Sequence, residues 1–224
     1  MNVELIFMNI IAALLNTGIM LSISYYFLPR HKILQEFFKT YWLIFHPNII
    51  SMWRGIVGPI FGYWIYKNFH LMSNIELTVL MQTIVFLANS DALDGQVARY
   101  CNMTTQIGKS LDAFCDKLFD LPILLALSYH IHEYLFIIVC IICCIDLIGQ
   151  WLRSSITDTA AEIIGKTKTC IKFTSMFFLF IYLLSLDVQV WTYSLTILFF
   201  IILVSLLFTG WSMGIKLKNS SIFA

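Results

Sequence analysis

The chain has 224 residues, of which 59% are hydrophobic and only 12% charged, with a formal net charge of +1. A water-soluble domain of this length cannot bury so much apolar side chain, so the composition is that of a polytopic membrane protein. The near-balance of charge excludes a global basic field of the kind that binds nucleic acid.

Residues 5–28 are apolar and long enough to span a bilayer, and Pro29 is expected to stop the helix. This first run can be a transmembrane helix or an in-plane anchor. It opens with Glu4 rather than a basic region and has no clear small-residue cleavage site, so no cleavable signal peptide is expected. In residues 30–45, Arg30, Lys32, Glu36 and Lys39 are set against Ile33, Leu34, Phe37, Phe38, Tyr41, Trp42 and Phe45. The three- and four-residue steps predict an amphipathic helix in the headgroup region, basic side toward anionic membrane lipids. Residues 47–66 form the next predicted span, with Arg54 inside it. An arginine there must either snorkel to lipid phosphate or meet an anion.

Residues 76–89 are apolar and run directly into Asp91-Ala92-Leu93-Asp94-Gly95, and a second acidic pair, Asp112 and Asp116, opens the span 111–129. Spacings of three and four put each pair on one helix face, a turn apart. Two such pairs, one ending a helix and one opening the next, can converge on one point. Four converging carboxylates repel one another, and either protons or cations must compensate. Hard oxygen ligands in this number suit Mg²⁺, Mn²⁺ or Ca²⁺ rather than Zn²⁺. Gly95, Ala98 and Gly108 lie between the pairs and let a ligand approach closely. Acids that merely face water need neither fixed spacing nor glycines.

Three further spans follow at 135–152, with Asp146 inside, at 173–186 and at 191–213. Cys140, Cys143 and Cys144 share one apolar run and read as buried free thiols rather than a metal or redox site. No internal repeat or linker composition interrupts the chain. An ion channel or transporter would place its acids near the midplane, commonly with repeats, whereas these acids sit at span ends.

Asp91, Asp94, Gly95, Ala98, Arg99, Gly108, Asp112 and Asp116 fit the pattern D-x2-D-G-x2-A-R-x8-G-x3-D-x3-D at every fixed position. This resembles the signature of the CDP-alcohol phosphotransferases (CDP-alcohol phosphatidyltransferases). Pro47-Asn48-Ile49-Ile50-Ser51, followed by Arg54, is similar to the opening of that family's first core helix. The resemblance implies an all-α polytopic membrane bundle of six core transmembrane helices at 47–224. Residues 1–46 then add an extra N-terminal helix and the amphipathic interfacial helix. It also implies a reaction in which an alcohol attacks the lipid-side phosphate of a CDP-linked lipid such as CDP-diacylglycerol, and CMP leaves. Two divalent ions, Mg²⁺ or Mn²⁺, would clamp the pyrophosphate and stabilise the leaving group. By position in the motif, Asp91, Asp94 and Asp112 are implied as metal ligands. Asp116 is implied as the base with possible contact to the second metal. Asn48, Arg54, Gly95, Ala98, Arg99 and Gly108 are implied to bind the CDP-lipid.

The run Ile164-Gly165-Lys166-Thr167-Lys168-Thr169, Leu152-Arg153 before it and Trp211-Ser212-Met213 are similar to stretches of phosphatidylglycerophosphate synthases. Arg153, Lys166 and Lys168 are then expected to bind a phosphorylated acceptor, glycerol 3-phosphate, unless they serve only to enforce topology. Departures weaken the choice of acceptor. Leu111-Asp112-Ala113-Phe114-Cys115-Asp116-Lys117 lacks the proline usual in those synthases, and Ile145-Asp146 stands where an Arg-Glu pair is common. The first acidic run is also similar to that of phosphatidylserine synthases. Serine, inositol, inositol phosphate and phosphatidylglycerol therefore remain open as acceptors, and a homodimer is open as the assembly.

Most Lys and Arg fall in 30–39, 99–117, 153–172 and 216–218, and almost none in the opposite loops near Lys67, His130–Glu133 and Asp187. With seven alternating spans, the positive-inside rule puts the four-aspartate loop in the cytoplasm. In a background lacking the native cysteines, Lys109→Cys should resist an impermeant thiol reagent added to intact cells, and His132→Cys should react. The reverse labelling pattern would refute this orientation.

Overall fold

The structure, a computed structural model, describes residues 2–41, 46–101, 106–152, 159–185 and 194–219. Side chains are described there except at 2–3, 106–107, 109, 151–152, 159–166, 185, 194 and 216–219. Every element among the described residues is helical: α1 (Asn2–Leu21), α2 (Lys32–Thr40), α3 (Pro47–Asn68), α4 (Asn74–Tyr100), α5 (Gln106–Tyr129), α6 (Glu133–Leu152), α7 (Thr159–Ser185) and α8 (Ser194–Asn219). By length and apolar composition, four segments can cross a membrane: Glu4–Arg30, Glu133–Gln150, Thr167–Leu184 and Leu195–Ile215. The other three expected spans correspond to α3, α4 and α5. They are long enough at 1.5 Å per residue, but they carry the charges discussed below.

Local chemistry explains most boundaries. The first helix continues past α1 through a π-helical stretch, Ser22–Phe27, and a turn, Leu28–Arg30. It therefore ends two residues later than Pro29 suggested, at the extended His31 (φ −108°, ψ 103°). Proline lacks the N–H but keeps a helical φ, so the chain breaks only where the next residue turns out. Helix α4 starts with a capping box: Ser73 Oγ accepts from Glu76 N, and Glu76 Oε2 accepts from Ser73 N at 2.7 Å. It then runs through both Asp91 and Asp94 to Tyr100 rather than ending at them. Helix α7 begins well before the expected Phe173, so the run 164–169 is helical.

The chain forms two compact units, residues 1–60 with 71–119 and residues 61–70 with 120–224. In the first, α1 lies along α4 and is joined to it by a ladder of amides and hydroxyls. Asn9 donates to Thr78 Oγ1 (3.1 Å), Gln82 donates to the Asn9 carbonyl (3.0 Å), and Asn89 donates to Thr17 Oγ1 (3.0 Å). Such bonds join helices where apolar contact alone gives no preference over lipid. Helix α2 packs on the end of α4 through a cluster of Leu28, Phe38, Val97 and Cys101.

Helices α3 and α5 approach closely at Gly55 and Gly58. A Cβ on Gly58 would lie 2.3 Å from Phe119 Cα and 2.5 Å from the Leu118 carbonyl oxygen. That carbonyl is the one whose helical partner Pro122 removes. A Cβ on Gly55 would meet the side-chain sulfur of Cys115 at 3.0 Å. Small residues here let the backbones close up, a common device between helices in lipid.

The second unit is built from the end of α5 with α6, α7 and α8, over a core that includes Ile123, Leu127, Leu135, Leu179, Phe180 and Ile202. At its α5–α6 turn, His130 stacks on Phe69 (4.5 Å between centroids) and its Nε2 lies 3.1 Å from the Tyr66 carbonyl.

Gly58→Ala should lower thermal stability in detergent by about 1–3 kcal/mol, because backbone rather than a flexible side chain must yield. Gly18→Ala, with nothing within 4 Å of the added carbon, should raise stability by up to about 1 kcal/mol through helix propensity. Equal effects of the two substitutions would contradict the packing argument.

Candidate active site

Three helices of the first unit each contribute a pair of polar residues, three or four apart. Helix α3 carries Ser51 and Arg54, α4 carries Asp91 and Asp94, and α5 carries Asp112 and Asp116. The spacing puts each pair on one face, and the close α3–α5 approach at Gly55 and Gly58 brings two of those faces together. Arg54, with its side chain 2% exposed, is the hub. Its Nη1 is 3.0 Å from Asp91 Oδ1. Its Nη2 is 3.5 Å from Asp94 Oδ2, 2.9 Å from Asp112 Oδ1 and 2.8 Å from Asp116 Oδ1. The Ser51 hydroxyl lies within donating distance of Asp112 Oδ1 (2.9 Å) and Asp94 Oδ2 (3.1 Å), serving one at a time.

The four acids are not equivalent. Asp91, Asp112 and Asp116 each offer an oxygen to a cluster within 4.8 Å, and their side chains are 50%, 38% and 31% exposed. Asp94 is 4% exposed and outside that three-carboxylate cluster. Lying beyond the apolar run that ends at Asn89, its carboxyl is pushed up to about 8. Burial is the chief cause, with Asp91 and Asp112 adding and Arg54 and Ser51 opposing. The carboxylates around Arg54 gather hard oxygen donors at one point. That donor set fits a divalent metal ion, with Asp91, Asp112 and Asp116 as the residues able to hold it.

The other expected site residues are placed as follows. Gly95 sits in α4 with only the Arg99 guanidinium, at 3.8 Å, near where a Cβ would be. Its lack of a side chain is therefore not required by internal packing and leaves room beside the acids. Ala98 and Gly108 are partly buried in α4 and α5. Arg99 turns back along its own helix and donates from Nε to the Gly95 carbonyl at 3.1 Å. The Asn48 backbone N–H donates to His46 Nδ1 at 3.2 Å, at the start of α3. Arg153 lies outside the described residues, as does the side chain of Lys166.

Lys168 lies in α7, inside the second unit. It is 7% exposed, and its ammonium is already matched by Asp146. Asp146 also takes Lys172 Nζ at 2.6 Å, and Lys172 reaches Asp120 Oδ2 at 2.5 Å. This buried network of two acids and two bases joins α5, α6 and α7 inside the second unit. Asp120 and Lys172 were not singled out from the sequence, and Ser51 entered only as part of the opening of α3. The available signals were the Asp116/Asp120 and Lys168/Lys172 spacings of four and the lone acid Asp146 in an apolar helix, which calls for a partner.

Lys172→Met should destabilise the second unit by about 3–5 kcal/mol, because it leaves Asp120 and Asp146 buried with one cation fewer. Adding Asp120→Asn should recover part of the loss in detergent melting curves. No loss in the single variant would show the network to be energetically idle.

The chain matches the family model described as CDP-alcohol phosphatidyltransferase over residues 44–211. It is 35% identical over 89 residues to a CDP-diacylglycerol–glycerol-3-phosphate 3-phosphatidyltransferase of Aquifex aeolicus, covering 40% of this chain and 46% of that protein. It is 30% identical over 120 residues to a probable CMP-forming cardiolipin synthase of Drosophila melanogaster, covering 53% and 30%. It is 32% identical over 93 residues to a CDP-diacylglycerol–inositol 3-phosphatidyltransferase of the same organism, covering 42% and 38%. The matches thus span less than half the length of these curated relatives. No solved structure matches the chain. The family match takes in the acidic cluster, Arg54 and the helices that carry them, and the chain belongs to the CDP-alcohol phosphatidyltransferase family.

Proposed function

We propose that this chain transfers the phosphatidyl group of CDP-diacylglycerol to a hydroxyl of sn-glycerol 3-phosphate, giving phosphatidylglycerol phosphate and CMP. Residues 47–224 would be the catalytic membrane domain and residues 1–46 its anchor, with the site on the cytoplasmic face. The observation that carries the chemistry is the convergence of Asp91, Asp112 and Asp116 around Arg54, with Asp94 buried against Ser51. Two Mg²⁺ or Mn²⁺ ions held by these aspartates would supply charge neutralisation at the pyrophosphate and at the departing CMP. Asp116 is the proposed base. It takes the proton of the acceptor hydroxyl as that oxygen bonds to the lipid-side phosphorus and the bond from phosphorus to CMP breaks. The room beside Gly95, with Ala98 and Gly108, would take the nucleotide.

Two observations support the acceptor. The Ile164–Thr169 run is similar to that of phosphatidylglycerophosphate synthases, and relatives from Aquifex aeolicus and Blochmanniella floridana carry the glycerol-3-phosphate name. Lys168 already has Asp146 as its partner, so the phosphate of the acceptor falls first to Arg153 and Lys166.

The test is CMP release by purified protein from labelled CDP-diacylglycerol, with glycerol 3-phosphate, serine, inositol and inositol phosphate at matched concentration. Glycerol 3-phosphate should be preferred. Excess EDTA should abolish turnover reversibly, and Asp91→Asn or Asp112→Asn should abolish it outright. Arg153→Ala and Lys166→Ala should each raise the KM for the acceptor about tenfold and spare that for CDP-diacylglycerol, given about 1.5–3 kcal/mol per charge-assisted contact. A preference for serine or inositol refutes the acceptor, and full activity in EDTA refutes the metal.

A further inference from the structure

Arg54 occupies the focus of the carboxylates rather than their edge. Its Nη2 alone lies within 3.5 Å of Asp94, Asp112 and Asp116, and Nη1 takes Asp91. The three carboxylates able to converge on a metal ion, Asp91, Asp112 and Asp116, are all among its contacts. A carboxylate can bridge two cations through its two oxygens. At the focus itself, however, a guanidinium and a divalent ion compete, because like charges a few ångströms apart repel. The Arg54 side chain is 2% exposed and its Nε has no hydrogen-bond partner. Its donor set is therefore incompletely used where it stands.

We infer that Arg54 is a resident counter-cation of the carboxylate cluster, one that competes with divalent metal for the same focus and turns to an anionic ligand when metal takes its place. The ligand class is a pyrophosphate, whose oxygens match the planar guanidinium fork. In this account Arg54 has two alternating partners, carboxylates and phosphates, and metal binding selects between them. Such an exchange leaves the acids with at least one cation beside them at every stage. The inference rests on the reading of the cluster as the metal centre of the proposed reaction.

The test is Mn²⁺ titration of the full chain in detergent, with free Mn²⁺ followed by electron paramagnetic resonance and no CDP-lipid or acceptor present. Arg54→Gln should bind Mn²⁺ about tenfold more tightly than the parent, a difference of about 1.4 kcal/mol. Its unfolding midpoint should be lower without Mn²⁺ and should gain more from added Mn²⁺. Unchanged or weaker binding overturns the inference and makes Arg54 a fixed scaffold for the acids. Should Arg54→Gln fail to fold, Arg54→Lys keeps one charge but loses the fork. It should bind Mn²⁺ severalfold more tightly than the parent, and equal or weaker binding overturns the inference. Absence of Mn²⁺ binding to every form overturns it together with the metal reading. A failure of CMP release alone leaves the titration result standing, so the two proposals fail separately.

Discussion

The first unit is organised by one electrostatic problem: four carboxylates gathered around a single buried guanidinium. At contact distance, each pair of charges is worth roughly 4 kcal/mol at an effective dielectric constant of about 20. The mutual repulsion of the acids is of the same order. One arginine lowers that repulsion but cannot cancel it. The arrangement is thus costly by itself and useful only if further cations bind, which is how a site built for divalent ions should behave.

That gathering depends on backbone proximity. Ser51 and Arg54 reach Asp112 and Asp116 because α3 and α5 approach closely at Gly55, against the Cys115 side chain, and at Gly58, against the Phe119 backbone. A larger residue at Gly58 would push the helices apart and lengthen every one of these contacts. On the other side, α1 and α2 hold α4, through the Asn9–Gln82 bonds along its length and the Phe38–Val97 contact at its end. The packing of the unit and the geometry of its site are therefore one property.

The second unit handles buried charge differently. Asp120 and Asp146 are matched by Lys168 and Lys172, a balanced set that joins three helices without an evident call for metal. Balanced ions in an apolar interior cost desolvation but specify which helix faces meet. Among the described contacts, several acids share one arginine in the first unit, whereas two acids share two lysines in the second.

Composition established a membrane protein, and apolar runs of bilayer-spanning length established its helices. The fixed spacing of Asp91, Asp94, Gly95, Asp112 and Asp116 made the candidate site legible, since helical periodicity converts sequence spacing into a shared face. Arg54 was legible as a charge in need of an anion. Its contact with all four acids was not, because that depends on how closely α3 crosses α5. The fate of Lys168 was hidden for the same reason. In sequence it is a cation in a run rich in lysine, and only the packing of α6 against its neighbours supplies Asp146 as its partner. Periodicity acts within one helix and can be read along the chain. Distances between helices are decided by side chains far apart in sequence, and those the tertiary structure alone determines.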